Sequence, residues 1–402
     1  MSASLDEFAS QKLAALKQRN LLRTLIETER LGPVEVRRGG KRLISFSCND
    51  YLNLSQHQAI KAAAVEATQK YGVGSGASRL VTGNHPLFAE LEAKLAALKG
   101  AEAACVFGSG YLANTGIVPA LAGADDMVAV DELSHACIFA GARLTGGALH
   151  VFRHNDTGHL GEILAAHRND HPRALIVTDG VFSMDGDLAP IGELADIAQE
   201  HDAWLMIDDA HGIGVVGGGR GSSYVNSGQG RVPLQMGTLS KAVGGYGGYL
   251  CASRAVIDLI RTRCRTFIYS TGLPPASVAA AIAAIDLIEA DPDYAALPLK
   301  KAKAFTEALG LPEAVSPIVP IVLGDSERTL RAARLLEDEG FLVVAIRPPT
   351  VPDGTARLRV TFSAAHGDDD IERLAGIIRA RILEAPDAEA PDAEAPDAEA
   401  SA

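Results

Sequence analysis

Apolar residues Leu13, Leu16, Leu21, Leu22 and Leu25 recur at mixed three- and four-residue spacings, which predicts a helix through the first forty-odd positions. A polar stretch around Arg38-Gly39-Gly40-Lys41 then reads as hairpin-like. From about residue 46 to 290 the rhythm changes. Short apolar runs at 104–107, 127–130, 174–178, 204–208 and 249–252 alternate with Ala-rich amphipathic pieces such as 86–99 and 191–201. Strand, helix, strand in repeated order predicts an α/β unit, a mostly parallel sheet covered by helices on both faces. Such sheets place ligands at the carboxyl ends of their strands.

A smaller α+β unit is expected over 291–384, from helical segments at 297–309 and 327–339, strand-like 341–346 and 357–361, and a closing helix near 368–382. The expected division is a helical segment (1–45), a large domain (46–290), a small domain (291–384) and a tail (385–402). In that tail Pro-Asp-Ala-Glu-Ala repeats three times over 386–400, with nothing apolar enough to bury, so it is expected to be disordered.

Charge changes the picture little. The net charge is -13, but residues 384–402 carry seven acids and no base, leaving about -6 for the rest. No basic stripe suits nucleic acid, and no apolar run approaches the ~20 residues needed to cross a bilayer. Five cysteines scattered singly argue against a disulfide framework or a zinc site and for a reducing cytoplasm.

Candidate chemistry begins with lysine. Of the eleven, only Lys241 lies between Lys99 and Lys300, in the Gly-rich turn Thr238-Leu239-Ser240-Lys241-Ala242-Val243-Gly244-Gly245 after a strand-like segment. It is either a surface lysine in a loop or a desolvated amine suited to a Schiff base. Asp208 and His211, in Ile207-Asp208-Asp209-Ala210-His211, end an apolar strand. They fit a weak metal site or a carboxylate that keeps a pyridine nitrogen protonated. Gly110 and Tyr111 in Gly108-Ser109-Gly110-Tyr111 open a helix after a strand, a natural phosphate cradle to which Thr238 and Ser240 add hydroxyls. His135 follows the 127–130 run and could stack on a planar cofactor. The polar stretch His154-Asn155-Asp156-Thr157-Gly158-His159 reads as a loop without a role.

Phosphate turn, stacking histidine, Asp-x-x-His and lone lysine, in that order, resemble the fold-type I pyridoxal phosphate (PLP) enzymes. Asn49-Asp50-Tyr51-Leu52, Gly74-Ser75-Gly76-Ala77-Ser78-Arg79, Phe182-Ser183-Met184-Asp185-Gly186-Asp187 and Ser270-Thr271-Gly272-Leu273-Pro274-Pro275 sharpen the resemblance to the α-oxoamine synthases, over roughly residues 20–383. Asn53 stands where the family commonly has Gly. Ala345-Ile346-Arg347-Pro348-Pro349-Thr350-Val351-Pro352 is most similar to members that join L-alanine to a pimeloyl thioester, on CoA or a carrier protein, in biotin synthesis.

The resemblance implies a PLP-dependent acyltransferase of the fold-type I transferase fold, with Lys241 carrying the cofactor and acting as base. It implies Asp208 at the ring nitrogen, His211 at the 3-hydroxyl and His135 on the ring face. Gly110, Tyr111, Ser183, Thr238 and Ser240 surround the phosphate and ring edge. Arg347 grips the alanine carboxylate, while Arg23 (in the N-terminal helix), Asn49 and Thr350 meet substrate. It further implies a homodimer in which Asn49, Ser75 and Thr271 cross from the partner, with no metal, nucleic acid or membrane. The competing readings are a sister synthase using glycine with acetyl- or succinyl-CoA, and a non-catalytic cofactor-binding scaffold.

Overall fold

In the computed structural model, residues 3–18, 21–225 and 228–384 are described, and the acidic repeat lies outside them. Seven strands form the central sheet, in the order 103–107, 248–252, 234–238, 204–208, 174–179, 127–131, 148–152. All pairings are parallel except those of Gly248–Ala252, which runs antiparallel to both neighbours. Several of these strands are buried along their whole length, which is why they read as continuous apolar runs and not as alternating ones.

Successive side chains nonetheless separate to the two faces. Val128 and Val130 pack under the helices Gly110–Leu121 and Ala136–Leu144, while Met127 and Ala129 face Thr157–His167 and Ile191–Glu200. Beyond the sheet, Ile318–Gly324, Ala356–Thr361 and Val344–Ile346 make a small antiparallel sheet. The helices Pro292–Leu309, Ser326–Asp338 and Asp368–Ile378 cover it around Phe305, Leu358 and Phe362.

The N-terminal segment departs from the expected single helix. The helix is Ala3–Gln18, and Leu22 and Leu25 stand exposed in irregular chain after it. Beyond the β-branched Thr24, Ile26 and Thr28, the strands Thr28–Arg30, Glu35–Arg38 and Lys41–Ser45 form a meander. Its hairpin turns on Gly39 and Gly40, both at positive φ, the geometry that matches strand twist. Lys41–Ser45 pairs in parallel with Phe341–Leu342, and Phe46 joins the C-terminal core. Residues 28–46 therefore pack with the small unit. Asn53 sits at φ 52, which explains why glycine suits that position.

Candidate active site

The carboxyl ends of the parallel strands bring the chemistry together. Asp179 lies opposite Asp208 in register, both buried. Asp208 Oδ1 accepts from the Ala210 N–H at 2.9 Å and Oδ2 from Asn114 Nδ2 at 2.6 Å. Among the described residues it has no cationic partner within ion-pair distance. Lys241 follows Thr238 in a tight loop where Gly244, at φ 73, leaves no room for a Cβ beside the Leu54–Ser55 backbone. Its amine makes no hydrogen bond or ion pair among the described residues. Burial lowers its pKa against the pull of Asp208 and Asp179, and the Arg359 guanidinium pushes the same way as burial. An amine so placed is available as a nucleophile nearer neutral pH.

Gly110 begins the helix Gly110–Leu121, with Ser109 Oγ accepting the Leu112 N–H. The Gly110 and Tyr111 N–H groups therefore stay open at the helix start. Gly248 must be glycine here, because a Cβ would stand 2.6 Å from the Ser109 carbonyl. Thr238 Oγ1 donates to the Gly247 carbonyl at 2.8 Å and lies 2.8 Å from Ser240 Oγ, so its proton is committed while Ser240 stays exposed.

His211 is buried, and its Nδ1 lies 2.6 Å from the Tyr51 hydroxyl. Burial, with Lys241 and Arg359 nearby, holds the imidazole well below its usual pKa, and burial raises that of Tyr51 to about 12. Asn49 Oδ1 accepts from Arg359 Nη1 at 3.1 Å and from the Tyr51 hydroxyl at 3.3 Å. Asn49 thus meets Tyr51 and Arg359 of its own chain, beside His211. Arg359 is 4% exposed, also donates through Nε to the Ser183 carbonyl at 2.5 Å, and has no carboxylate partner among the described residues.

His135, Ser183, Arg23, Arg347 and Thr350 line one cavity of about 1220 Å³. Arg23 reaches it from the irregular chain after Gln18 and not from the helix. Asp179 Oδ2 accepts the His135 N–H at 2.9 Å. Ser75 Oγ donates to the Leu273 carbonyl at 2.5 Å, and Thr271, bridged to Ser78, is exposed beside Phe107 and Gly108. Asp179, Asn114, Tyr51 and Arg359 had no role in the sequence reading. Tyr51 sits inside Asn49-Asp50-Tyr51-Leu52, yet nothing local marks which member of that motif turns inward.

His154, read from sequence as loop, joins the cavity's two walls. Its Nδ1 lies 3.1 Å from Asp131, at the root of the His135 loop, and its Nε2 lies 2.8 Å from Asp187, at the root of the Ser183 loop. Burial opposes the charge, but the two carboxylates outweigh it and hold the pKa up at about 10. A raised histidine pKa contributes stability that is fully present below about pH 6.5 and lost as pH rises through about 10. With Asp187 partly exposed, we expect His154→Gln to cost about 2 kcal/mol in urea denaturation at pH 6 and almost nothing near pH 10. A cost independent of pH would contradict the charged clamp.

The residues fit PLP. Among the described residues, a half-buried amine without a hydrogen bond or ion pair, a buried carboxylate without a cation, an open helix start and the buried Asn114 Oδ1, which has no hydrogen-bond partner, offer the donors and acceptors that an aldehyde, a pyridine nitrogen and a phosphate require. Among the described residues no cluster of three metal-ligating side chains is found, and no helix is long and apolar enough to cross a membrane.

The aminotransferase class I and II model matches residues 41–378. An 8-amino-7-oxononanoate synthase of Methylocella silvestris is 64% identical over 346 residues, covering 86% of this chain and 99% of the relative. Among solved structures, a serine palmitoyltransferase of S. paucimobilis with bound PLP superposes with a TM-score of 0.87 at 30% identity, covering 94% of this chain and 97% of that one. The 8-amino-7-oxononanoate synthase of Francisella tularensis gives 0.72 at 28% identity, covering 84% and 97%. With the strand-end carboxylates, the solitary amine and these relatives in agreement, the chain belongs to the class I and II aminotransferase family, in its 8-amino-7-oxononanoate synthase group.

Proposed function

We propose that this chain condenses L-alanine with a pimeloyl thioester, on CoA or a carrier protein, releasing carbon dioxide and the thiol and giving 8-amino-7-oxononanoate for biotin synthesis in the cytoplasm. The observation that carries it is the partnerless Lys241 amine beside the buried Asp208, in a group of relatives bearing that activity. Bound PLP supplies an electron sink for the amino acid's α-carbon.

The chain's own residues do the rest. Lys241 Nζ would hold the cofactor and would act as the base that takes the proton from the amino acid's α-carbon. Asp208, whose carboxylate Asn114 holds, would keep a proton on the cofactor's ring nitrogen, and His211, steadied by Tyr51, would serve its ring hydroxyl. The Gly110 and Tyr111 N–H groups, with Ser240, Ser183 and, from a partner subunit, Thr271 and Ser75, serve the phosphate and ring edge. His135, which lines the cavity, would stack on the cofactor's ring. The alanine carboxylate has two candidate guanidinium partners. Arg359, buried without a counter-ion beside Lys241, is better placed than Arg347, which lies with Arg23 and Thr350 in the cavity wall, suited to the acyl chain's distal carboxylate. The new bond joins the alanine α-carbon to the acyl carbon as the thiolate leaves, and the carboxylate departs as carbon dioxide, its bonding pair staying on the α-carbon, which takes up a proton.

A homodimer is supported by the exposed Val73, Leu80, Val81 and Tyr269, which surround the Ser78–Thr271 bridge. The division into a large and a small domain is supported by separate apolar cores. A panel of alanine, glycine and serine against pimeloyl-, acetyl- and succinyl-CoA, with product masses, tests the reading. Alanine with pimeloyl-CoA is expected to dominate, and preference for glycine with a short acyl donor would replace it with the sister activity.

A further inference from the structure

We propose that Cys137, acting with Asn114, is a positioning residue that holds His135 as the neutral ring with its proton on Nε2, so that His135 can only donate into the cavity. The inference deepens the functional reading above and rests on it for its rate readout alone.

A chain of hydrogen bonds with defined directions runs from Asp208 to His135. Asp208 Oδ2 can only accept, so the nitrogen of Asn114 faces it, at 2.6 Å. The second hydrogen on that nitrogen points to Cys137 Sγ at 3.1 Å. Having accepted from Asn114, the thiol directs its own hydrogen to His135 Nδ1, 2.8 Å away. The Cys137 main-chain N–H converges on the same nitrogen at 3.2 Å, because His135 caps the helix Ala136–Leu144.

Two donors on Nδ1 leave it no proton of its own, so the ring carries one on Nε2. Asn114 and Cys137 are both buried, and burial beside Asp208 raises the thiol pKa to about 12, so it keeps its hydrogen. The positive end of the helix further opposes a charged ring. Burial pulls the His135 pKa down, Asp208 opposes this and Lys241 adds to it. Asp179 accepts the His135 main-chain N–H, and the cavity that His135 lines also carries Glu132, Asp185, Asp325, Glu327, Asp353, Arg23 and Arg347.

Long-range proton–nitrogen NMR on the histidine-labelled full chain, with and without PLP, reads the ring directly, His135→Gln identifying its signals. We expect a bare Nδ1 and a protonated Nε2 at pH 7, with a titration midpoint below 6.5. In Cys137→Ala the midpoint is expected to rise by about one unit, a tenfold change in the protonation equilibrium. Its kcat for condensation should fall by about tenfold with the KM for alanine unchanged, and Cys137→Ser, which restores a donor, should recover both. A proton on Nδ1 or a charged ring at pH 7 in the parent chain overturns the proposal, as does a Cys137→Ala chain with parental midpoint and kcat. If Cys137→Ala does not fold, the parent spectrum decides alone. The expected ring in a chain that binds no PLP would reject the functional reading and leave this inference standing.

Discussion

Lys241→Ala is expected to lower kcat/KM for condensation by about 10⁴-fold, while the cofactor-free chain melts no lower than its parent. The rate loss follows from removing both the covalent anchor and the general base, and a positioned base alone is worth roughly 10²–10⁴. The stability expectation follows from the site: the Lys241 amine has no hydrogen bond or ion pair among the described residues, and burial already disfavours its charge. Deleting it removes a desolvated cation and breaks no hydrogen bond or ion pair among the described residues, the usual trade between activity and stability at a functional group. A thiol-release assay with alanine and pimeloyl-CoA, run beside a thermal melt, checks both. Turnover within tenfold of the parent would remove Lys241 from the chemistry. A large drop in melting temperature would instead make it a structural residue.

The second large effect lies one residue from Asp208. Lys99 is fully buried, and its Nζ donates to Asp209 Oδ2 at 2.8 Å and to the Arg220 carbonyl at 2.6 Å. Lys99→Met leaves the Asp209 carboxylate buried with only the Ser222 N–H on its other oxygen. Stranding one member of a buried pair costs about 3–5 kcal/mol, and we expect that loss in urea denaturation. Lys99→Met with Asp209→Asn should recover part of it, because the stranded charge is gone. A single-variant loss below about 1 kcal/mol would show that water reaches the pair. The loop from Asp208 to His211 is held by this pair, so PLP affinity should fall alongside stability.

Much of the site was legible because its parts are local. A lysine alone across two hundred residues, an aspartate ending an apolar run and a glycine turn opening a helix each announce themselves within a few positions. Arg359 gave no such signal. On the strand Ala356–Thr361 it looks like Arg357, yet Arg357 pairs with Asp185 whereas Arg359 reaches Asn49, 310 positions away. His154 was illegible for the same reason, since its meaning lies in Asp131 and Asp187, on two other segments. The N-terminal helix was over-extended because leucine spacing reports amphipathicity and is blind to strand partners. The pairing of Lys41–Ser45 with Phe341–Leu342 is a long-range choice.

By itself, then, the amino-acid order determined the parallel sheet, the edge on which the chemistry sits and the amine at its centre, because burial periodicity and chain punctuation are local and additive. Only the tertiary structure decided which side chains meet there: Asn49 with Arg359 inside one chain, Cys137 beneath His135, His154 between two walls. Those meetings depend on close packing between segments far apart in the chain and on register, since a one-residue shift of Ala356–Thr361 would send Arg359 to the opposite face of its sheet.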